Sequence, residues 1–129
     1  MPDDTATQAT TEFKRADDFS SSYANSVTFE PSAWDLSVIF GQLEQAPGKT
    51  AVVNQRLAVT IPWPQAKLAL FWLRLQVEAA ELQAGKIPIR MDIIPPEMPP
   101  LAPEQANDAN VMKFRELYRK AREEFVASL

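Results

Sequence analysis

Glu78 and Glu81, three residues apart, and the adjacent Glu123 and Glu124 are the carboxylate pairs that could serve as general acid and base. Such work needs one carboxyl to keep its proton near neutral pH, which takes burial or a close like charge. Both pairs fall on the polar strip of a helix-period segment, so they read as surface acids. Lys113, Arg115, Arg119, Lys120 and Arg122 form a basic cluster of the kind that meets phosphate or an acidic protein surface. Glu116, Glu123 and Glu124 interleave with it and largely cancel its charge, which favours a solvated helix face. Trp34, Trp63 and Trp72 could make an aromatic platform for a ligand, but their places at a strand start, a helix start and a helix stripe fit packing better. The chain has no cysteine and no histidine, which excludes disulfides, thiolate nucleophiles, zinc fingers and histidine acid–base chemistry. Its three glycines stand in neither a GxGxxG nor a GxxxxGK arrangement, so nucleotide-phosphate loops are excluded as well. No catalytic, cofactor-binding or metal-binding residue is assigned, and the chain reads as a non-enzyme without a cofactor.

The element that must position everything else is the stretch from Pro64 to Gly85, the longest helix-period segment, and it is apolar on two sides. One stripe runs through Ala66, Ala69, Leu70, Leu73, Val77, Ala80 and Ala84, and a second through Leu68, Trp72, Leu75, Ala79 and Leu82. A helix lying on one sheet needs a single apolar stripe, so the second implies a second covering layer. Leu68, Trp72, Leu75, Ala79 and Leu82 are therefore the expected oligomer interface, with the C-terminal helix of the same chain as the competing cover. Pro64 suits the first helical turn and Gly85 the position just past the last.

Before that helix the chain alternates at the period of a strand. Tyr23, Asn25, Val27 and Phe29 oppose Ala24, Ser26, Thr28 and Glu30 up to Pro31; Trp34, Leu36, Val38 and Phe40 follow until Gly41; and Ala51, Val53, Gln55, Leu57, Val59 and Ile61 make the third run. Ile39 falls on the otherwise polar face and hints that this face is not wholly solvated. Pro47-Gly48 fits the centre of a type II turn. The fold class is thus α+β: a three-stranded antiparallel meander followed by a long helix (β-β-β-α), then a Pro-rich segment and a C-terminal helix. Tyr23, Val27, Phe29, Trp34, Leu36, Val38, Phe40, Val53, Leu57, Val59 and Ile61 are expected to share one sheet face, buried with the Leu70, Leu73 and Val77 stripe.

Residues 1–20 are acidic and polar and read as a disordered arm rather than a signal peptide. Residues 21–86 form the core domain. Residues 87–104 are an extended segment with six prolines between Pro88 and Pro103, either a linker that packs partly on its own domain or a strip that docks on a partner. Residues 105–129 hold an amphipathic helix from about Ala109 to Ala127, capped by Asp108 or Asn107. Its stripe Val111, Phe114, Tyr118, Ala121 and Phe125 makes it a docking helix, with Val111, Phe114, Tyr118 and Phe125 as candidate partner contacts. Glu116–Lys120, Arg119–Glu123 and Lys120–Glu124 are spaced as ion pairs on its outer surface.

Tyr23-Ala24-Asn25, Ser32-Ala33-Trp34-Asp35-Leu36 and Ala66-Lys67-Leu68 open the first strand, the second strand and the main helix. Together they resemble a family of small bacterial proteins known only as a domain of unknown function, over roughly Tyr23 to Ile89. That resemblance implies no catalytic residues and points towards the transcription machinery. The order of elements is also loosely similar to that of SecB-type export chaperone subunits. The expected function is a non-enzymatic protein-interaction module, homo-oligomeric through the main helix and sheet, with an unidentified protein partner. A SecB-like holdase or an accessory factor of the transcription machinery is the alternative. The net charge of −4 disfavours direct nucleic-acid binding, and no run approaches a membrane span, so a cytoplasmic protein is expected.

Overall fold

The strand-period alternation produces three strands, β1 (Ser26–Pro31), β2 (Asp35–Glu44) and β3 (Val52–Pro62), and β3 is followed without a loop residue by α1 (Trp63–Ala84). The structure is a computed structural model that describes residues 9–44, 48 and 50–129. Single 3-10 turns at Met91–Ile93 and Pro103–Gln105 lead to α2 (Ala109–Ala127). β2 is the central strand of an antiparallel β1-β2-β3 sheet, so the architecture is the α+β meander-then-helix that the sequence predicts. The chain divides into two compact units, Met1–Ala66 and Lys67–Leu129. Among the described residues no helix is long and apolar enough to cross a membrane.

The strand ends differ from the alternation because polar side chains take over backbone bonds. β1 begins three residues after Tyr23. Ahead of it, the Asn25 backbone N–H donates to the Gly41 carbonyl (3.1 Å) and the Asn25 side-chain oxygen accepts from the Leu43 N–H (2.7 Å). Trp34 lies in the turn between β1 and β2 rather than in a strand. There the Ser32 hydroxyl accepts from the backbone N–H groups of Trp34 (3.1 Å) and Asp35 (3.0 Å) and donates to the Asp35 carboxylate (2.8 Å). Side chains of this type compete with ladder bonds and so set the turn. The indole N–H of Trp63 donates to the Ser32 carbonyl at 3.0 Å, fastening the first residue of α1 to that turn.

β2 runs past Gly41 to Glu44, but the ladder shifts there: Phe40 pairs with Leu57 and Gly41 with Gln55, which leaves Arg56 as the extra residue of a β-bulge. Gly41 is needed at that point because a Cβ would stand 2.8 Å from Val53 Cγ1 and 2.9 Å from the Asn54 carbonyl oxygen. The bulge reverses the facing of β3 on its far side. Val53, expected beside Leu57, instead shares a face with Gly41 and Leu43.

The rest of the expected face assembles in register as the rows Val27–Phe40–Leu57, Phe29–Val38–Val59 and Pro31–Leu36–Ile61. Its expected burial does not hold. Phe29 is 59% exposed, Leu57 54% and Trp34 83%. Among the described residues the one buried hydrophobic side chain is Ile39, on the opposite face of the central strand, flanked across the ladder by Thr28 and Ala58. Two side-chain bonds cross that face, Ser37 to Thr60 (2.8 Å) and Gln55 to Thr28 (3.5 Å). The sequence hint about Ile39 thus has a structural counterpart.

Gly85 ends α1 with φ +89°, its N–H donating to the Glu81 carbonyl at 2.8 Å. Gly48 has the positive φ that a type II turn asks of it, while Pro47 and residues 1–8 of the N-terminal arm lie outside the described residues. The remainder of that arm, residues 9–20, contains one turn, closed by the Phe19 N–H on the Ala16 carbonyl. Asp108 is the cap of α2, accepting from the N–H groups of Asn110 (2.9 Å) and Val111 (3.3 Å).

The bulge yields a direct prediction. Gly41→Ala forces its methyl against the Asn54 backbone, an overpacking that costs on the order of 1–3 kcal/mol. Chemical denaturation should show the lower midpoint; an unchanged midpoint would mean the sheet relaxes there freely.

Candidate interaction surfaces

Of the four candidate carboxylates, Glu78, Glu81 and Glu123 are engaged by three different partners. Glu78 pairs with Arg74 one helical turn away, its Oε1 3.2 Å from the Arg74 Nε. Glu81 accepts from the Ile87 N–H at 2.9 Å, so it caps the chain as it leaves α1. Glu116 and Glu123 both bind Arg119, the latter at 2.6 Å. Arg119 thus takes Glu116, which the spacing had offered to Lys120, along with its expected partner Glu123. The Arg119 hydrogen bond, helped by its charge, holds the Glu116 carboxyl below its ordinary pKa and raises the guanidinium of Arg119 further above its own. A depressed carboxyl stabilises the fold above its unfolded-state pKa and loses that effect as pH falls through the folded value. Glu116 is fully solvated, so this effect is slight, and its ionised state near neutrality is the reverse of what a general acid needs. Among the described residues no group of three His, Cys, Asp or Glu side chains could hold a metal ion.

The second feature lies between the Pro-rich segment and α2. Prolines lack an N–H, and an extended run makes no internal hydrogen bonds, so its carbonyls remain open acceptors. Tyr118 donates its hydroxyl to the Pro96 carbonyl at 2.6 Å, and Arg122 donates Nε to the Pro95 carbonyl at 2.8 Å. Val111, Arg115, Tyr118 and Arg122, at helical spacing, form the half-buried side of α2, and Ile94, Met98, Leu101 and Ala102 are half-buried in the preceding segment. An open cleft of about 450 Å³ lies beside this contact, with Glu97, Met98, Met112 and Arg115 in its wall. Of the candidate docking residues, Val111 and Tyr118 are half-buried, while Phe114 (58% exposed) and Phe125 (37%) are open. The Tyr118–Pro96 bond spans 22 residues of sequence, and no periodicity announces it.

The largest open surfaces are apolar. No residue of α1 is buried: in the second stripe Leu68, Trp72, Leu75 and Leu82 are all exposed, and so are Leu70, Leu73 and Val77 in the first. Phe71, which the stripe assignment omits, meets Trp72 edge to face with centroids 5.0 Å apart. Its signal was present, since it stands three residues after Leu68 and four before Leu75. The structure therefore places Leu68, Trp72, Leu75, Ala79 and Leu82 on one continuous open helix face. No family model, no curated protein and no solved structure matches the chain.

If Tyr118 anchors the Pro-rich segment, Tyr118→Phe removes a bond worth about 1 kcal/mol. Tryptic cleavage after Arg90 should then become roughly fivefold faster by local opening. An unchanged cleavage rate would mean that apolar packing alone holds the segment.

Proposed function

We propose that this chain is a non-enzymatic protein-interaction module of the cytoplasm, homo-oligomeric through α1 and the sheet, whose work is carried by a protein partner. The carrying observation is the apolar surface left open on a single chain, on the face of Phe29, Leu57 and Val59 and on both stripes of α1. Fully burying one large apolar side chain is worth about 1.5–3 kcal/mol, so covering Leu68, Trp72, Leu75 and Leu82 stabilises an assembly by several kcal/mol. Exposed Phe114 and Phe125, on a helix whose Val111 and Tyr118 side is taken by the Pro-rich segment, supply the partner-docking edge. A net charge of −4 speaks against direct nucleic-acid contact. The resemblance to the uncharacterised bacterial family, and through it to the transcription machinery, is part of this reading on sequence grounds alone.

The same open sheet face favours one second reading, a SecB-like holdase that keeps the surface free for extended client segments. Two measurements separate them. Leu75→Asp should reduce the assembly to monomer mass by light scattering while circular dichroism keeps the strand signal, and a wild-type protein already monomeric at tens of micromolar would sink the oligomer. An apolar dye should give near-background fluorescence with the wild-type protein; strong binding would transfer the argument to the holdase.

A further inference from the structure

The charges of α1 are gathered on one flank. Lys67, Arg74, Glu78 and Glu81 are its charged residues, and at about 100° per residue all four lie roughly 60–120° to the same side of Leu75. The two bases precede Leu75 and the two acids follow it. The exposed second stripe is itself symmetric about that residue: Leu68 and Leu82 stand seven positions to either side of it, and large Phe71 and small Ala79 four positions to either side. The flank on the other side of Leu75 carries Gln76 and Gln83 and no charge.

We infer that α1 pairs with α1 of a second copy, antiparallel, about a two-fold axis at Leu75. This rests on the homo-oligomeric reading above and names the occupant of the second stripe and its direction. In an antiparallel two-fold pair the charged flank of each helix meets the same flank of the other. Lys67 then stands level with Glu81 of the partner subunit and Arg74 with Glu78 of the partner subunit, each to within about 3 Å along the axis. Leu68 meets Leu82 of the partner subunit, and Phe71 meets Ala79 of the partner subunit, so a large side chain packs against a small one. A parallel pair would instead turn the charged flank towards Gln76 and Gln83 and leave it without an opposite charge. Arg74 already binds Glu78 of its own helix at 3.2 Å, so the two Lys67–Glu81 pairs, one at each end of the seam, fix the direction. Glu81 uses only Oε2 for the Ile87 N–H, and its charge stays available to Lys67.

A second copy is the occupant because the complementarity is with itself: side-chain size and charge both reverse about Leu75. The other apolar helix of the chain is partly used, since Tyr118 in the stripe of α2 is bonded to Pro96. The second stripe makes the seam rather than the first because the first has alanine at four of its seven positions.

The absence of cysteine permits site-specific crosslinking. Leu68→Cys and Leu82→Cys are made in separate full-length chains, mixed in equal amounts and oxidised. The expected result is a mixed disulfide forming roughly tenfold faster than either variant crosslinks with itself. A dimer by sedimentation whose variants crosslink mainly with themselves, or not at all, overturns the antiparallel seam while the oligomeric reading stands. A wild-type chain that sediments as a monomer overturns both. Charge reversal gives a second readout that leaves the apolar seam intact. Lys67→Glu and Glu81→Lys, each with its helix signal confirmed by circular dichroism, should bind one another roughly fivefold more tightly than either binds itself, because only the mixed pair restores opposite charges at both ends. Equal affinities in the mixed and unmixed samples would overturn the proposed direction.

Discussion

Pro62 and Trp63 are consecutive residues of a strand and a helix, and the rest of the structure depends on that junction. Neither Pro62 nor Pro64 can donate to a ladder, and Pro64 carries the fixed φ of a first helical turn, so strand ends and helix starts without an intervening loop. The Trp63 indole then fastens the junction to the Ser32 carbonyl. Each side of that junction carries exposed apolar side chains, Phe29 and Leu57 on the sheet and Leu70 and Leu73 on α1.

The two faces of the sheet resolve the burial problem differently. On one, Ile39 is buried between Thr28 and Ala58 across the ladder, beside the Ser37–Thr60 hydroxyl pair, small or polar neighbours that tolerate solvent. The other presents Val27, Phe29, Phe40, Leu57 and Val59, side chains with no polar function, and can be satisfied only by a second apolar layer. The Arg56 bulge divides these roles along β3, turning Val53 towards Gly41 while Leu57 stays with Phe40. In the second unit the Pro-rich segment is bonded to α2 through Tyr118 and Arg122.

Much of this was legible in the residues themselves. Period-two alternation placed Phe29, Val38 and Val59 in one row, and Pro64, Gly85 and Asp108 marked helix ends correctly because each acts through its own backbone or side chain. What was not legible depended on a second strand or a distant segment. Val53 was misplaced because a bulge is decided by how two strands pair. Tyr23 and Trp34 were misplaced because Asn25 and Ser32 take backbone bonds that alternation alone assigns to strands. The double apolarity of α1 is legible in its residues, and both stripes are exposed in the structure.

The decisive question is whether the exposed second stripe of α1 meets a second copy. An equimolar mixture of isotope-labelled and unlabelled protein, examined for nuclear Overhauser effects that connect only a labelled to an unlabelled chain, reads that contact directly. Association through the second stripe of α1 predicts such effects between the Leu68, Leu75 or Leu82 methyl groups of different copies. Finding these contacts only within a chain, or finding neither set at all at concentrations where the protein is folded, would contradict it.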